Sequence, residues 1–393
     1  MKKIILNILL LFCFALWAGA QDDRMQAVLQ SIEENNTQLK ALRELGAAEK
    51  LESRAANNLA NPEVEITHRP KAGGSFAETE IEATQSFDFP TTYRHRGQAI
   101  ELENQKVDLA YEVRRREVVQ EAAMLTVNYI HQQKVVKLLE DRVRYAKELY
   151  EAYEVLFDKG DINILERNKT KIYLLEMEKE LKLARADLNL TLGDLERMNG
   201  GKPLDIVPEE YSHYDLPLDF DSWYAGIRLN NPGLLLAEKN VEASRKQEQL
   251  TRSLNLPKLR AGYVGDLVKN ESRHGFLVAV SVPLWEGRNT VKSKKAQTLA
   301  MEYEQEDIEC QYRKELIISY EKAKEMRDML REYKQVMDYS TNFDLLKKAF
   351  DMGQINLIAY LQELLIFHQA IDSFLAAERD YYLTVRELEQ WER

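Results

Sequence analysis

Phe157-Asp158-Lys159-Gly160-Asp161-Ile162-Asn163 recurs 193 positions later as Phe350-Asp351-Met352-Gly353-Gln354-Ile355-Asn356. Pro90 and Pro283 have the same separation, so each stands 67 residues before its Phe-Asp-x-Gly-x-Ile-Asn. Further upstream, Asn36 and Pro62 correspond to Asn231 and Pro257 at an offset of 195. Only a two-residue length change between Pro62 and Pro90 separates the two registers. The chain is a duplicated unit, and that repeat sets its organisation.

Working outward from each Gly, the segments are long, charged and helical in pattern. Residues 99–156 and 291–350 contain neither Pro nor Gly and are dense in Glu, Lys, Arg and Leu. At ~1.5 Å per residue each would run ~90 Å as a helix. The helical period resumes after each motif, over Leu165–Met198 and Leu357–Trp391, so each motif is the tip of a long helical hairpin. A shorter helix precedes each unit, roughly Asp22–Leu59 and Trp223–Leu254.

Four short segments alternate instead: Glu63–His68, Thr79–Phe89, Lys258–Val264 and Phe276–Val282. In the last, Phe276, Val278, Val280 and Val282 share one face. In its counterpart Ile81, Ala83, Phe87 and Phe89 alternate with Glu82, Thr84, Ser86 and Asp88. Polar connections at Lys71–Ser75 and Lys269–Gly275 join them into two β-hairpins. The expected division is a first repeat at 21–198, with its hairpin at about 62–90 and tip at about 157–164. A connection follows at 199–222. The second repeat, 223–393, has its hairpin at about 257–283 and tip at about 350–357.

Residues 1–20 read as a secretory signal peptide: Lys2 and Lys3, an apolar run from Ile4 to Trp17, then Ala18-Gly19-Ala20. Without Lys2 and Lys3 the formal charge moves from −11 to −13, which disfavours nucleic-acid binding. Cys310 is the only cysteine beyond the leader, so no intrachain disulfide is expected. Phe12 stands where a lipid-attachment site carries a small residue, which argues against lipidation of Cys13. No later stretch reaches the ~20 apolar residues of a spanning helix.

The strands are long enough to cross an outer membrane when tilted, with one apolar face and one polar face. Four strands leave two open edges, which lipid does not tolerate, so several chains must share a barrel. Two copies would give eight strands filled by side chains; three would give twelve and room for a channel. The hairpins could instead cap a soluble coiled coil. Pro90 and Pro283 suit the boundary of strand and helix, and Tyr93 and Trp285 stand where an interfacial aromatic girdle would sit.

Val280-Ser281-Val282-Pro283-Leu284-Trp285-Glu286-Gly287, Asn231-Pro232 and the two Phe-x-x-Gly-x-Ile turns together resemble the TolC-type outer-membrane efflux family, over essentially the whole chain after the leader. The resemblance implies a mainly α fold with a small membrane β-barrel, assembled as a homotrimeric channel-tunnel. It also implies a periplasmic adaptor and an inner-membrane pump as partners, outer-membrane lipid around the barrel, and most of the mass in the periplasm. By the same resemblance Asp158, Gly160, Asp161, Ile162, Asp351, Gly353, Gln354 and Ile355 form the periplasmic tip, where the family docks its adaptor and closes its tunnel. Pro90, Pro283, Trp285 and Gly287 form the strand–helix junctions. Arg94 and Arg96 replace the Gly287 region in the first repeat, a departure from the fuller signature. Gln85–Tyr93 looks similar to members serving heavy-metal pumps of the resistance-nodulation-division type, although no His, Met or Cys cluster accompanies it.

A soluble periplasmic coiled-coil adaptor or scaffold is the competing class. It would carry one helical hairpin in a lipoyl-like β-domain rather than two equivalent hairpins. The six histidines show no metal-ligand spacing, and no phosphate loop is present. Catalytic, cofactor and metal sites are not expected.

Overall fold

The structure is a computed structural model describing residues 24–69, 78–204, 207–268, 271–285, 287–336 and 339–392. The leader and the Lys71–Ser75 connection lie outside them, as do Lys269 and Asn270 of the second connection. The elements are α1 (24–35), α2 (Thr37–Ala55), β1 (Glu63–Arg69), β2 (Glu78–Phe87), α3 (Pro90–Lys159) and α4 (Ile164–Met198). After the connection come α5 (Phe220–Arg228), α6 (Pro232–Leu254), β3 (Lys258–Val268), β4 (Glu271–Ser281), α7 (Thr290–Val336), α8 (Tyr339–Asp351) and α9 (Leu357–Glu389).

The long breaker-free run of the first repeat is one 70-residue helix, α3, ~105 Å by rise per residue. The corresponding run of the second repeat is divided between α7 and α8, with residues 337–338 between them outside the described set. Both shorter helices are interrupted where single helices were expected. The interruptions fall at Asn36 and at 229–231, which include the two asparagines that anchor the repeat. Each Asn turns its amide oxygen onto the next helix start. Asn36 Oδ1 accepts from Leu39 N at 3.0 Å, and Asn231 Oδ1 from Gly233 N at 2.9 Å and Leu234 N at 3.1 Å. Asn at an N-cap satisfies amides that the helix itself leaves unpaired. The opposite end of each side chain is also used: Asn36 Nδ2 donates to Met198 O and Asn231 Nδ2 to Tyr312 Oη.

The strands form one antiparallel sheet in the order β1-β2-β3-β4, with β2 pairing β3 across the boundary between repeats. Two strands run longer than their apolar patterns suggested: β3 extends to Val268 and β4 begins at Glu271, ahead of Phe276. Alternation continues through the polar residues there, and the ladder needs only backbone partners, as Arg273 opposite Asp266 shows. In the other direction β2 stops at Phe87, because Asp88 N is taken by Tyr93 Oη and Pro90 opens α3.

The register separates two faces. Val64, Ile66, Ile81, Ala83, Leu259, Tyr263, Phe276, Val278 and Val280 share one, and it is exposed along β1 and β4, with Phe276 at 94%. Glu63, Glu65, Glu80, Glu82, Arg260, Asp266 and Arg273 lie on the other. Arg69 pairs with Glu80 there at 2.8 Å.

The chain divides into two compact units, each drawing on both repeats. One comprises Met1–Lys40, Arg114–Ile227 and Arg313–Arg393; the other comprises Ala41–Val113 and Arg228–Tyr312 and contains the sheet. The first unit has an apolar core in which Met25, Val28, Leu29 and Ile32 of α1 meet Val118, Ala122 and Val127 of α3 and Leu195 and Met198 of α4. The spacing on α1 is the apolar stripe of an amphipathic helix.

Candidate functional site

The two copies of the motif form the same turn, and most of its positions have an identifiable job. Gly160 (φ 80°) and Gly353 (φ 69°) adopt the left-handed conformation that ends a helix. Gly160 N donates to Phe157 O at 2.9 Å and Asp161 N to Leu156 O at 3.0 Å. Gly353 N and Gln354 N donate equivalently to Phe350 O and Ala349 O, both at 2.9 Å. This crossed pair of bonds is the Schellman closure. Asn163 and Asn356 then N-cap α4 and α9, and Asn163 forms a reciprocal capping box with Glu166. Ile162 and Ile355 are half-buried, whereas Asp158, Asp161, Asp351 and Gln354 are exposed. The acidic side chains are presented outward, not used to build the turn.

Behind the turns the two hairpins are joined by contacts that the sequence did not single out. Tyr360 of α9 is completely buried, stacks on Phe350 with centroids 4.3 Å apart and shares a hydrogen bond with Tyr145 of α3. Burial raises both phenols above their ordinary range. An open cavity of about 530 Å³ lies beside them, bordered by Tyr145, Tyr153, Leu156, Phe350, Ile355 and Leu357. Farther along α3, Arg142 is buried and forks onto Asp372 of α9 at 2.7 and 3.1 Å; it also donates to His368 O at 3.2 Å. The only advance signal for this seam was the 3–4 residue spacing of Leu357, Tyr360, Leu364, His368 and Ile371, all buried on α9.

Burial first and the Arg142 guanidinium second hold the His368 imidazole down to about 4 from its ordinary 6.5, with Asp372 opposing them. A histidine that the fold keeps neutral contributes its full stability above the unfolded value. That contribution is lost as pH falls from 6.5 toward about 4. Melting temperature is expected to decline across this window, and His368→Gln to flatten the decline. An unchanged slope in the variant would assign the acid sensitivity to other groups.

The strand–helix junctions differ between repeats. At the first, Pro90 begins α3 directly, Arg96 pairs with Asp88 at 2.6 Å, and the Arg96 guanidinium lies over the Tyr93 ring. Tyr93 is half-buried and committed to this turn; the counterpart of Gly287 at the offset of 193 is Arg94, which is exposed. At the second, residues 282–289 separate β4 from α7. A Cβ at Gly287 would stand 2.0 Å from Asn255 Oδ1, at the C-cap of α6, so any larger residue there would make the Asn255 side chain turn away. Trp285 is 79% exposed, and Leu284 is exposed beside it. Among the described residues no group of three or more His, Cys, Asp or Glu could hold a metal ion.

No family model and no curated protein matches the sequence. Solved structures do match. The Campylobacter jejuni CmeC outer membrane channel aligns with a TM-score of 0.78 at 15% identity, covering 95% of this chain and 87% of that one. CusC, whose structures concern transmembrane channel formation, aligns at 0.78 and 14%, covering 94% and 92%. The Vibrio cholerae outer membrane protein VceC aligns at 0.72 and 11%, covering 94% and 95%. At these identities the likeness is one of fold, and it extends over nearly the whole of each chain.

Proposed function

We propose that this chain, which has the fold of the TolC-type outer-membrane channels, is the outer-membrane conduit of a tripartite export system. Three copies close one twelve-stranded barrel, and substrate passes from a periplasmic adaptor and inner-membrane pump to the outside. One observation carries the reading. The sheet exposes an apolar face, keeps its charges on the other, and leaves β1 and β4 unpaired on their outer edges. In water such a face and such edges invite aggregation. In a barrel they meet lipid and the next copy. A soluble adaptor or scaffold would have no use for exposed Phe276, Val278 and Val280. No helix among the described residues is long and apolar enough to cross a membrane, so the sheet is the candidate spanning element.

As a conduit the chain needs no reacting groups, and the pump supplies the energy. The tip residues Asp158, Asp161 and Asp351 would be repeated three times around the axis, forming acidic rings that favour cations. Gly160, Ile162, Gly353, Gln354 and Ile355 hold the turns that present them to the adaptor.

Fractionation tests the reading first: the protein should stay with outer membranes until detergent is added. Recovery in the soluble periplasm would exclude a barrel. In planar bilayers the purified protein should conduct, and Asp161→Lys with Asp351→Lys should reduce its preference for cations. Unaltered conductance together with unaltered adaptor crosslinking would leave these aspartates as ordinary turn residues.

A further inference from the structure

The second strand–helix junction is built unlike the first in a way that the conduit alone does not require. Val278, Val280, Val282 and Leu284 are all exposed and fall at every second position. Exposed apolar side chains therefore continue past the end of the strand at Ser281 into the junction, where Trp285 follows. Immediately afterwards the charge reverses. Residues 282–297 contain Arg288, Lys292, Lys294 and Lys295 but a single acid, Glu286, in a chain of formal charge −11. Arg288, Lys292 and Lys295 are exposed; Arg288 stands in the turn just ahead of α7, and Lys292 and Lys295 are three apart within the first turns of that helix. None of the three makes an ion pair among the described residues, whereas Lys294 is held by Gln297 at 3.0 Å. At the first junction Tyr93 and Arg96 are both consumed by Asp88, and the exposed aromatic there, Phe89, is 38% exposed against 79% for Trp285.

We propose that this second junction is a one-sided anchor for anionic phospholipid. Leu284 and Trp285 seat in the headgroup–acyl boundary, about 5–10 Å deep. Arg288, Lys292 and Lys295 engage lipid phosphates just outside it. The anchor rests on the channel reading, since it needs the β4 face to meet lipid. Its continuity with that face, and the local charge reversal, favour lipid over a neighbouring protein chain as the occupant. Each protomer would contribute one anchor, so the barrel would be gripped at one junction of each repeat pair rather than at both.

The test uses the full chain without its leader, with Trp223→Phe and Trp391→Phe so that Trp285 is the sole tryptophan. It is reconstituted in vesicles of phosphatidylethanolamine, with or without phosphatidylglycerol. Lipids brominated near the glycerol end should quench Trp285 more strongly than lipids brominated near the acyl terminus. Aqueous iodide should quench it weakly. Adding Arg288→Gln, Lys292→Gln and Lys295→Gln should abolish the extra protection from iodide that phosphatidylglycerol confers. Strong iodide quenching in a protein still embedded in the vesicles would overturn the anchor and leave the channel reading standing. Protection from both quenchers would also overturn it, by placing the tryptophan against another chain. Failure of the protein to enter vesicles at all would instead remove the channel reading.

Discussion

Tyr360→Ala is expected to destabilise the chain by about 3–5 kcal/mol, the range for removing a fully buried aromatic ring. Tyr360 has no exposed surface; its ring stacks on Phe350 within its own hairpin and meets Tyr145 of the other. Alanine would leave a void between α3 and α9, add to the neighbouring cavity and strip Tyr145 of its hydroxyl partner. Tyr360→Phe keeps the ring and should cost only about 1 kcal/mol, the usual net worth of one hydrogen bond. Denaturation of the detergent-solubilised protein measures both, and trypsin should cut the alanine variant faster between Tyr145 and Lys171. Equal losses in the two variants would place the stabilisation in the hydroxyl pair instead of the packed ring.

Gly262→Val is expected to prevent the four-stranded sheet from forming, at about 3 kcal/mol or more. Gly262 lies in β3 opposite Thr84 of β2, where the two repeats' hairpins pair. A Cβ there would stand 2.5 Å from both Ala83 O and Thr84 Cγ2. Backbone cannot yield as a flexible side chain could, so the clash opens the ladder and with it the seam on which any barrel depends. The purified variant should fail to give a heat-modifiable oligomer on gels and should not conduct. Gly275→Ala in β4 is the matched control, since a Cβ there meets nothing within 4 Å. If Gly262→Val assembled as Gly275→Ala does, close approach at this seam would not be what limits the sheet.

These predictions rest on contacts of different ranges, and that difference explains what could be read in advance. The turns at the two motifs were legible because a Schellman closure and an N-cap are made within a few residues. The Phe-x-x-Gly-x-Ile-Asn spacing already contains the acceptor, the left-handed glycine and the cap. The alternation of Phe276, Val278 and Val280 announced a strand with one apolar face, for the same local reason. The breaks at Asn36 and Asn231 were not legible as breaks, although both residues had been noticed as repeat markers. Asn36 is fixed partly by Met198 O, far away in sequence, and Asn231 by Tyr312. Tyr93 and Trp285 looked equivalent in sequence, and only their neighbours separated them.

The sequence by itself determined the duplication, the helix and strand types, the position of the two helix–helix turns and the two-faced character of the strands. Each of these depends on backbone preferences and side-chain periodicity within one or two turns of chain. Tertiary structure alone decided that β2 pairs with β3, that Arg142 finds Asp372 across 230 positions, and that Tyr360 rather than a tip aspartate is the buried link between hairpins. Those outcomes depend on which surfaces exclude water together. Residues far apart in the chain compete for such contacts, and no local pattern records the winner.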